Sequence, residues 1–168
     1  MLRVKTAMIG LLACVAMASG QPSLADLYLE GGITSETAAA ARIELDTLIG
    51  LDRLHPQLDL RLATGLLLLQ GQQEDYNAAW LATPALRWTF GESGKVFVEG
   101  GIGAALMLHT RHESRELGSA FQFQDRLALG TLLGAGELIL SLTHYSNAGI
   151  KRPNDGFELL GLGYRLPL

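Results

Sequence analysis

His144 and Ser146 lie two positions apart, and Glu158 follows in the same C-terminal stretch of the 168-residue chain. These three residue types can supply a nucleophile, a base and an orienting acid. A serine hydroxyl is a weak nucleophile at neutral pH and needs a neighbouring base. An imidazole can take its proton, and a carboxylate can fix the ring tautomer and stabilise the charged ring. The chemistry would be attack on an acyl carbonyl. Asn147 and backbone N–H groups near Gly149 would face the oxyanion that such an attack creates. The order His, Ser, Glu differs from the common hydrolases, and there is no G-x-S-x-G turn. Triads are defined by geometry and not by chain order, so neither departure disqualifies the set.

The elements that must position these groups are written as alternation. Leu138, Leu140 and Leu142 alternate with Glu137, Ser141 and Thr143, and the same apolar row continues into His144 and Ser146. Leu160, Leu162, Tyr164 and Leu166 alternate with Gly161, Gly163 and Arg165, and Glu158 heads that row. Period-two alternation is the mark of a strand with one apolar and one polar face. Five further segments repeat it, around Arg42–Ile49, Gln57–Leu68, Trp80–Phe90, Val96–Leu108 and Phe121–Gly130. With a shorter, glycine-broken strand from Leu27 to about Thr34, eight strands are expected, enough to close a small antiparallel barrel.

The polar rows carry Arg42, Glu44, Asp59, Arg61, Arg87, Glu99, Arg126, Glu137 and Arg165. Placed inside, these charges can pair, and the leucine rows then form an outer band, as in an outer-membrane barrel. A soluble sandwich with charged outer faces accounts for single segments but less well for the long leucine rows. Connections alternate too. Short ones fall near Arg53–Pro56, Gly91–Gly94 and Gly134–Gly136, and longer ones near Gln70–Asn77, His109–Ala120 and Asn147–Phe157. Short periplasmic turns and long external loops put Ser146 at the external end of its strand.

Arg3 and Lys5 precede an apolar run from Ala7 to Ala18 and then small residues, the pattern of a secretory signal. Residues 1–25 are expected to be this leader, cleaved after Ala18 or Ala25, and residues 26–168 a single barrel domain. Cys14 is the only cysteine and falls within the leader, so disulfides and thiol chemistry are not expected. With 48% hydrophobic and 18% charged residues the chain is not of disordered composition, and a net charge of −4 gives no support for nucleic-acid binding.

The stretch from His144 to Glu158, H-Y-S-N-A-G-I-K-R-P-N-D-G-F-E, resembles the signature of the PagL family, the lipid A 3-O-deacylases. Weaker similarity covers Val96–Gly103 and Phe121–Gly130, while the N-terminal half departs. The resemblance implies His144, Ser146 and Glu158 as catalytic residues and Asn147 at the oxyanion site. It implies hydrolysis of the 3-O-linked hydroxyacyl ester of lipid A in the outer leaflet, with no metal or organic cofactor. A non-enzymatic barrel serving adhesion or envelope integrity, and an acyltransferase on the same lipid, are the competing readings. Both a monomer and a homodimer are compatible with the pattern.

Other groups carry weaker signals. His109, His112 and Glu113 share one external loop, where a metal site competes with ordinary solvated polarity. Arg111, Arg115, Lys151 and Arg152 also lie in external loops and could meet lipid phosphates or simply solvate the surface. Asp125 interrupts the apolar row of Phe121, Phe123, Leu127 and Leu129 without a clear role. The Leu66–Leu69 run reads as barrel wall.

Overall fold

The computed structural model describes residues 25–71, 76–91 and 94–168. The expected leader therefore lies outside the described residues, apart from Ala25. The strands are β1 (Asp26–Thr34), β2 (Ala39–Gly50), β3 (Leu58–Leu69), β4 (Asn77–Phe90), β5 (Val96–Met107), β6 (Arg111–His112), β7 (Arg115–Glu116), β8 (Phe121–Leu133), β9 (Gly136–Ser146) and β10 (Phe157–Leu166). Eight of them close into an antiparallel barrel in the order β1-β10-β9-β8-β5-β4-β3-β2, and β6 and β7 pair separately as a small hairpin. The expected eight-stranded barrel is present, including the glycine-broken first strand. The hairpin in the β5–β8 connection was not legible as strands, because each arm is only two residues long.

The apolar rows point outward. Leu140 and Leu142 are each 50% exposed, Leu160 51% and Leu162 56%, while the alternate positions are buried. A closed band of exposed leucines is unfavourable in water and suits hydrocarbon, so this is a membrane-spanning barrel. Among the described residues there is no helix long and apolar enough to span.

Inside, burial of charge is met by pairing. Arg61 donates to Glu44 at 2.8 Å and to Asp46 at 2.7 Å. Arg87 meets Glu99 at 2.9 Å and forks onto both oxygens of Glu137 at 2.8 and 2.7 Å. Arg126 bridges to Glu99 at 3.0 Å, and Arg165 binds Asp46. Inward glycines leave room for the larger groups. A Cβ at Gly161 would press on Glu30, one at Gly163 on Tyr28 and one at Gly130 on Phe97.

The interior is not polar throughout. At the external end Leu67, Leu69, Leu81, Met107, Leu117, Tyr145, Phe157 and Leu159 form a buried apolar layer. Leu66–Leu69 is thus wall only at Leu66 and Leu68, since Leu67 and Leu69 face inward.

The external loops close over this layer and brace one another. Glu36, in the β1–β2 turn, accepts from Ser114 Oγ and from Arg115 Nε of the hairpin. Glu116 and Asp155 exchange two hydrogen bonds, at 2.8 and 3.2 Å. Gly118 sits at positive φ, and a Cβ there would meet the Pro153 carbonyl at 2.0 Å, so the hairpin and the β9–β10 loop are in direct backbone contact.

Candidate active site

His144 and Ser146 occupy the last outward positions of β9, and Glu158 the first outward position of β10. The register sets Glu158 directly opposite His144. Directly opposed side chains in an antiparallel pair have Cβ atoms about 4.5–5.5 Å apart, within hydrogen-bonding reach. His144 Nδ1 and Glu158 Oε1 are 3.0 Å apart, with side chains 41% and 50% exposed on the outer wall. A carboxylate can only accept, so Nδ1 carries the proton and the Nε2 lone pair is left free to act as a base.

Ser146 shares the outer face with His144, one pleat further out. It makes no hydrogen bond to the ring among the described residues. Catalytic hydrogen bonds are often open in unliganded sites and tighten on substrate. On the other flank, β8 places Asp125 opposite His144 and Phe123 opposite Ser146. The interruption that Asp125 makes in its apolar row is therefore part of this polar strip. The sequence showed the break in the row but not its neighbour, because cross-strand register is a non-local property. The imidazole is hydrogen-bonded to Glu158, and among the described residues it has no hydrogen bond to Asp125.

The loop after Ser146 is built to hold position. Ile150 N donates to Asn147 O at 3.1 Å, and Ala148 and Gly149 both have positive φ, at 55° and 75°. This is a tight type I′ turn, which favours glycine or asparagine, so Ala148 stands in a strained conformation. Gly156, also at positive φ, closes the other side. A Cβ there would meet the Tyr145 carbonyl at 2.7 Å, His144 Cε1 at 3.2 Å and Ser146 Cβ at 3.5 Å. Any larger residue at that position would push directly on His144 and Ser146.

Asn147 turns away from the outer wall. It is fully buried, and its Nδ2 donates to the carbonyls of Leu117 and Lys151, both at 2.7 Å. Its backbone N–H donates to Asn154 Oδ1 at 2.8 Å. All its donors are thus spent on holding the loop, and none faces an oxyanion. The N–H groups of Ala148 and Gly149, by contrast, have no hydrogen bond within the protein among the described residues.

His112 is also buried. Its Nε2 lies 3.4 Å from Thr34 Oγ1, and its ring packs on Phe157 with centroids 5.0 Å apart. Burial holds its pKa below the usual imidazole value, opposed by the charges of Glu113 and Glu36. It is a packed component of the cap, and among the described residues no group of three acidic, histidine or cysteine side chains could hold a metal ion. A shallow groove of about 420 Å³ on the outer wall, lined by Ala39, Ala41, Leu68 and Tyr76 among others, lies on β2–β4, separated from β10 by β1. It does not reach the polar strip.

A profile of the family described as "Lipid A 3-O-deacylase (PagL)" matches residues 51–167. The chain belongs to the PagL family. "Lipid A deacylase PagL" of Pseudomonas aeruginosa is 43% identical over 79 residues, 46% of this chain and 46% of that protein. The Bordetella bronchiseptica protein of the same name is 44% identical over 84 residues, 49% of this chain and 46% of its own length. The aligned stretch thus spans about half the length of either curated relative. The crystal structure of the outer membrane enzyme PagL superposes with a TM-score of 0.77 at 28% identity, covering 85% of this chain and 99% of that one. The closed barrel and its outer-membrane location are therefore those of the PagL family. The unmatched N-terminal 50 residues agree with the departure of the N-terminal half from the family pattern.

Proposed function

We propose that this chain is a serine esterase that removes the 3-O-linked hydroxyacyl chain from lipid A in the outer leaflet. The observation that carries the reading is the His144–Glu158 hydrogen bond on the lipid-facing wall, at the external end and beside Ser146. A site inside the lumen would be closed off by the packed external layer, whereas this one meets the acyl region of a lipid. The names of the curated relatives support lipid A as the substrate.

His144 Nε2 takes the proton of Ser146 as Oγ bonds to the acyl carbon. Glu158 stabilises the resulting imidazolium. The N–H groups of Ala148 and Gly149 receive the oxyanion. Collapse breaks the bond to the sugar 3-oxygen, which leaves with the proton from Nε2. Water, deprotonated by the same nitrogen, then attacks the acyl-serine and releases the hydroxy fatty acid, restoring Ser146.

Mass spectrometry of lipid A from cells that insert the protein tests this. The expected product has lost one hydroxyacyl group, and Ser146→Ala in a folded barrel abolishes that loss. Unchanged lipid A with correctly inserted wild-type protein would refute the proposal in favour of an inert barrel. An added acyl group would refute it in favour of a transferase.

A further inference from the structure

The external loops carry four cations, and the described residues differ in how these are used. Arg115 is bonded to Glu36, and Arg111 Nε to the Glu113 carbonyl. The side chains of Lys151 and Arg152 are exposed, and neither has a hydrogen bond or ion pair among the described residues. The nearest acidic group of their own loop, Asp155, accepts from the Glu116 backbone instead.

Their backbone, in contrast, is fixed. The buried Asn147 side chain grips Lys151 twice, donating to its carbonyl at 2.7 Å and accepting from its N–H at 3.3 Å. Pro153, one residue beyond the pair, has its carbonyl against Gly118 of the cap. Asn147 directly follows Ser146, so one side chain couples the nucleophile's strand end to the base of the cationic pair. Ile150, next to Lys151, is 72% exposed. An exposed isoleucine beside two free cations matches the acyl–headgroup boundary, with the apolar side chain in hydrocarbon and the charges at headgroup level.

We propose that Lys151 and Arg152 form an anion clamp for a phosphate monoester on the glycolipid headgroup, held in register with Ser146 by Asn147. This rests on the deacylase reading above and adds the headgroup contact to it. The guanidinium fork of Arg152 suits two phosphate oxygens, while Lys151 contributes a point charge. Because the backbone is already ordered, only the two side chains remain to be fixed on binding.

The test compares kcat/KM of the purified barrel on phosphorylated and enzymatically dephosphorylated lipid A, presented in the same neutral detergent micelles. The wild type is expected to prefer the phosphorylated lipid roughly tenfold, mainly through KM, as suits exposed charge-assisted contacts. The preference should fall several-fold in K151Q and R152Q and vanish in the double variant. Each ratio is taken within one protein preparation, so incomplete folding cancels. Inorganic phosphate distinguishes the source, since a clamp for lipid-borne phosphate gives the preference with no free phosphate present, whereas a clamp for free phosphate would raise turnover of the dephosphorylated lipid when phosphate is added. A double variant that keeps the wild-type ratio, or a wild type with no preference, overturns the clamp while leaving the esterase intact. Activation of dephosphorylated lipid turnover by inorganic phosphate, matching that given by the lipid's own phosphate, overturns the lipid-borne assignment. A wild type that cleaves neither lipid overturns the deacylase reading, and the clamp with it.

Discussion

Replacing Glu158 by glutamine separates the charge of the orienting group from its shape. The Nδ1···Oε1 contact of 3.0 Å can persist, because the amide oxygen still accepts and so preserves the tautomer. What is lost is the charge that stabilises the imidazolium as Ser146 gives up its proton. A hydrogen bond to a charged group contributes about 1.5–3 kcal/mol, and half-exposure of both partners puts this one near the lower end. At 1.4 kcal/mol per tenfold, E158Q should lower kcat by about 10- to 30-fold, while E158A, which also frees the ring, should lose more. KM should change little, since the interaction strengthens only as the ring becomes charged. The fold should be unaffected. The other bonds of Glu158 are backbone contacts to Ser35, at 2.9 and 3.2 Å, and glutamine keeps both. The assay is single-substrate turnover on lipid A in micelles, with thermal unfolding measured alongside. Wild-type kcat in E158Q would refute the charge-stabilising role of Glu158, as would a fall in rate explained by a matching fall in Tm.

Two other perturbations probe the scaffold. Glu44 is fully buried and accepts from Arg61 and Thr83, so Glu44→Ala leaves Arg61 with Asp46 as its remaining partner and one buried positive charge in excess, and should cost about 3 kcal/mol in urea unfolding from lipid bilayers. A loss under about 1 kcal/mol would mean that water enters and solvates the lattice. The cap should loosen in acid. His112 is held below its usual pKa by burial, so the unfolded chain takes up its proton first. The contribution of His112 is therefore complete above about pH 6.5 and is lost as pH falls. Glu36, held below its ordinary value by the Ser114 hydroxyl and then by Arg115, loses its contribution further down, below about pH 4.5. Amide exchange across residues 111–117, corrected for intrinsic rates, should accelerate in these two steps, with H112F removing the upper one. Exchange that does not depend on pH would contradict the assignment.

The barrel was legible because a strand writes its two faces into alternate positions, and Arg42, Glu44 and Arg61 could only be accommodated on the enclosed side. His144 and Glu158 were legible for the complementary reason, as polar residues continuing rows of leucine. Besides the two-residue arms of the hairpin, three features were not legible. The apolar external layer of the lumen was hidden because Leu67 and Leu69 sit in an unbroken leucine run, where alternation carries no sign. The neighbour of Asp125 depended on the β8–β9 register. Asn147 looked like a donor aimed at substrate because its residue type is right and it adjoins the serine. Only the fold shows that its side chain points inward, since an odd-numbered position on β9 faces the lumen and Asn147 continues that parity into the loop.

The same parity explains why the proposed chemistry would be confined to the external end. A charge on the lipid face costs about 2–4 kcal/mol at mid-bilayer for Arg or Lys, less for Glu, and close to nothing at the interface. Moving His144, Ser146 and Glu158 two or four positions down their strands would put them where Leu140, Leu142 and Leu160 now stand, away from the interface and beyond the reach of the loop donors. Moving them one position would turn them into the lumen, where Tyr145 and Phe157 are stacked at 4.7 Å and no acyl chain can enter without unpacking the cap. The polar strip therefore occupies the one level of the outer wall where a carboxylate is tolerated, a fixed loop can receive an oxyanion, and an ester at the acyl–headgroup boundary comes into contact with the serine.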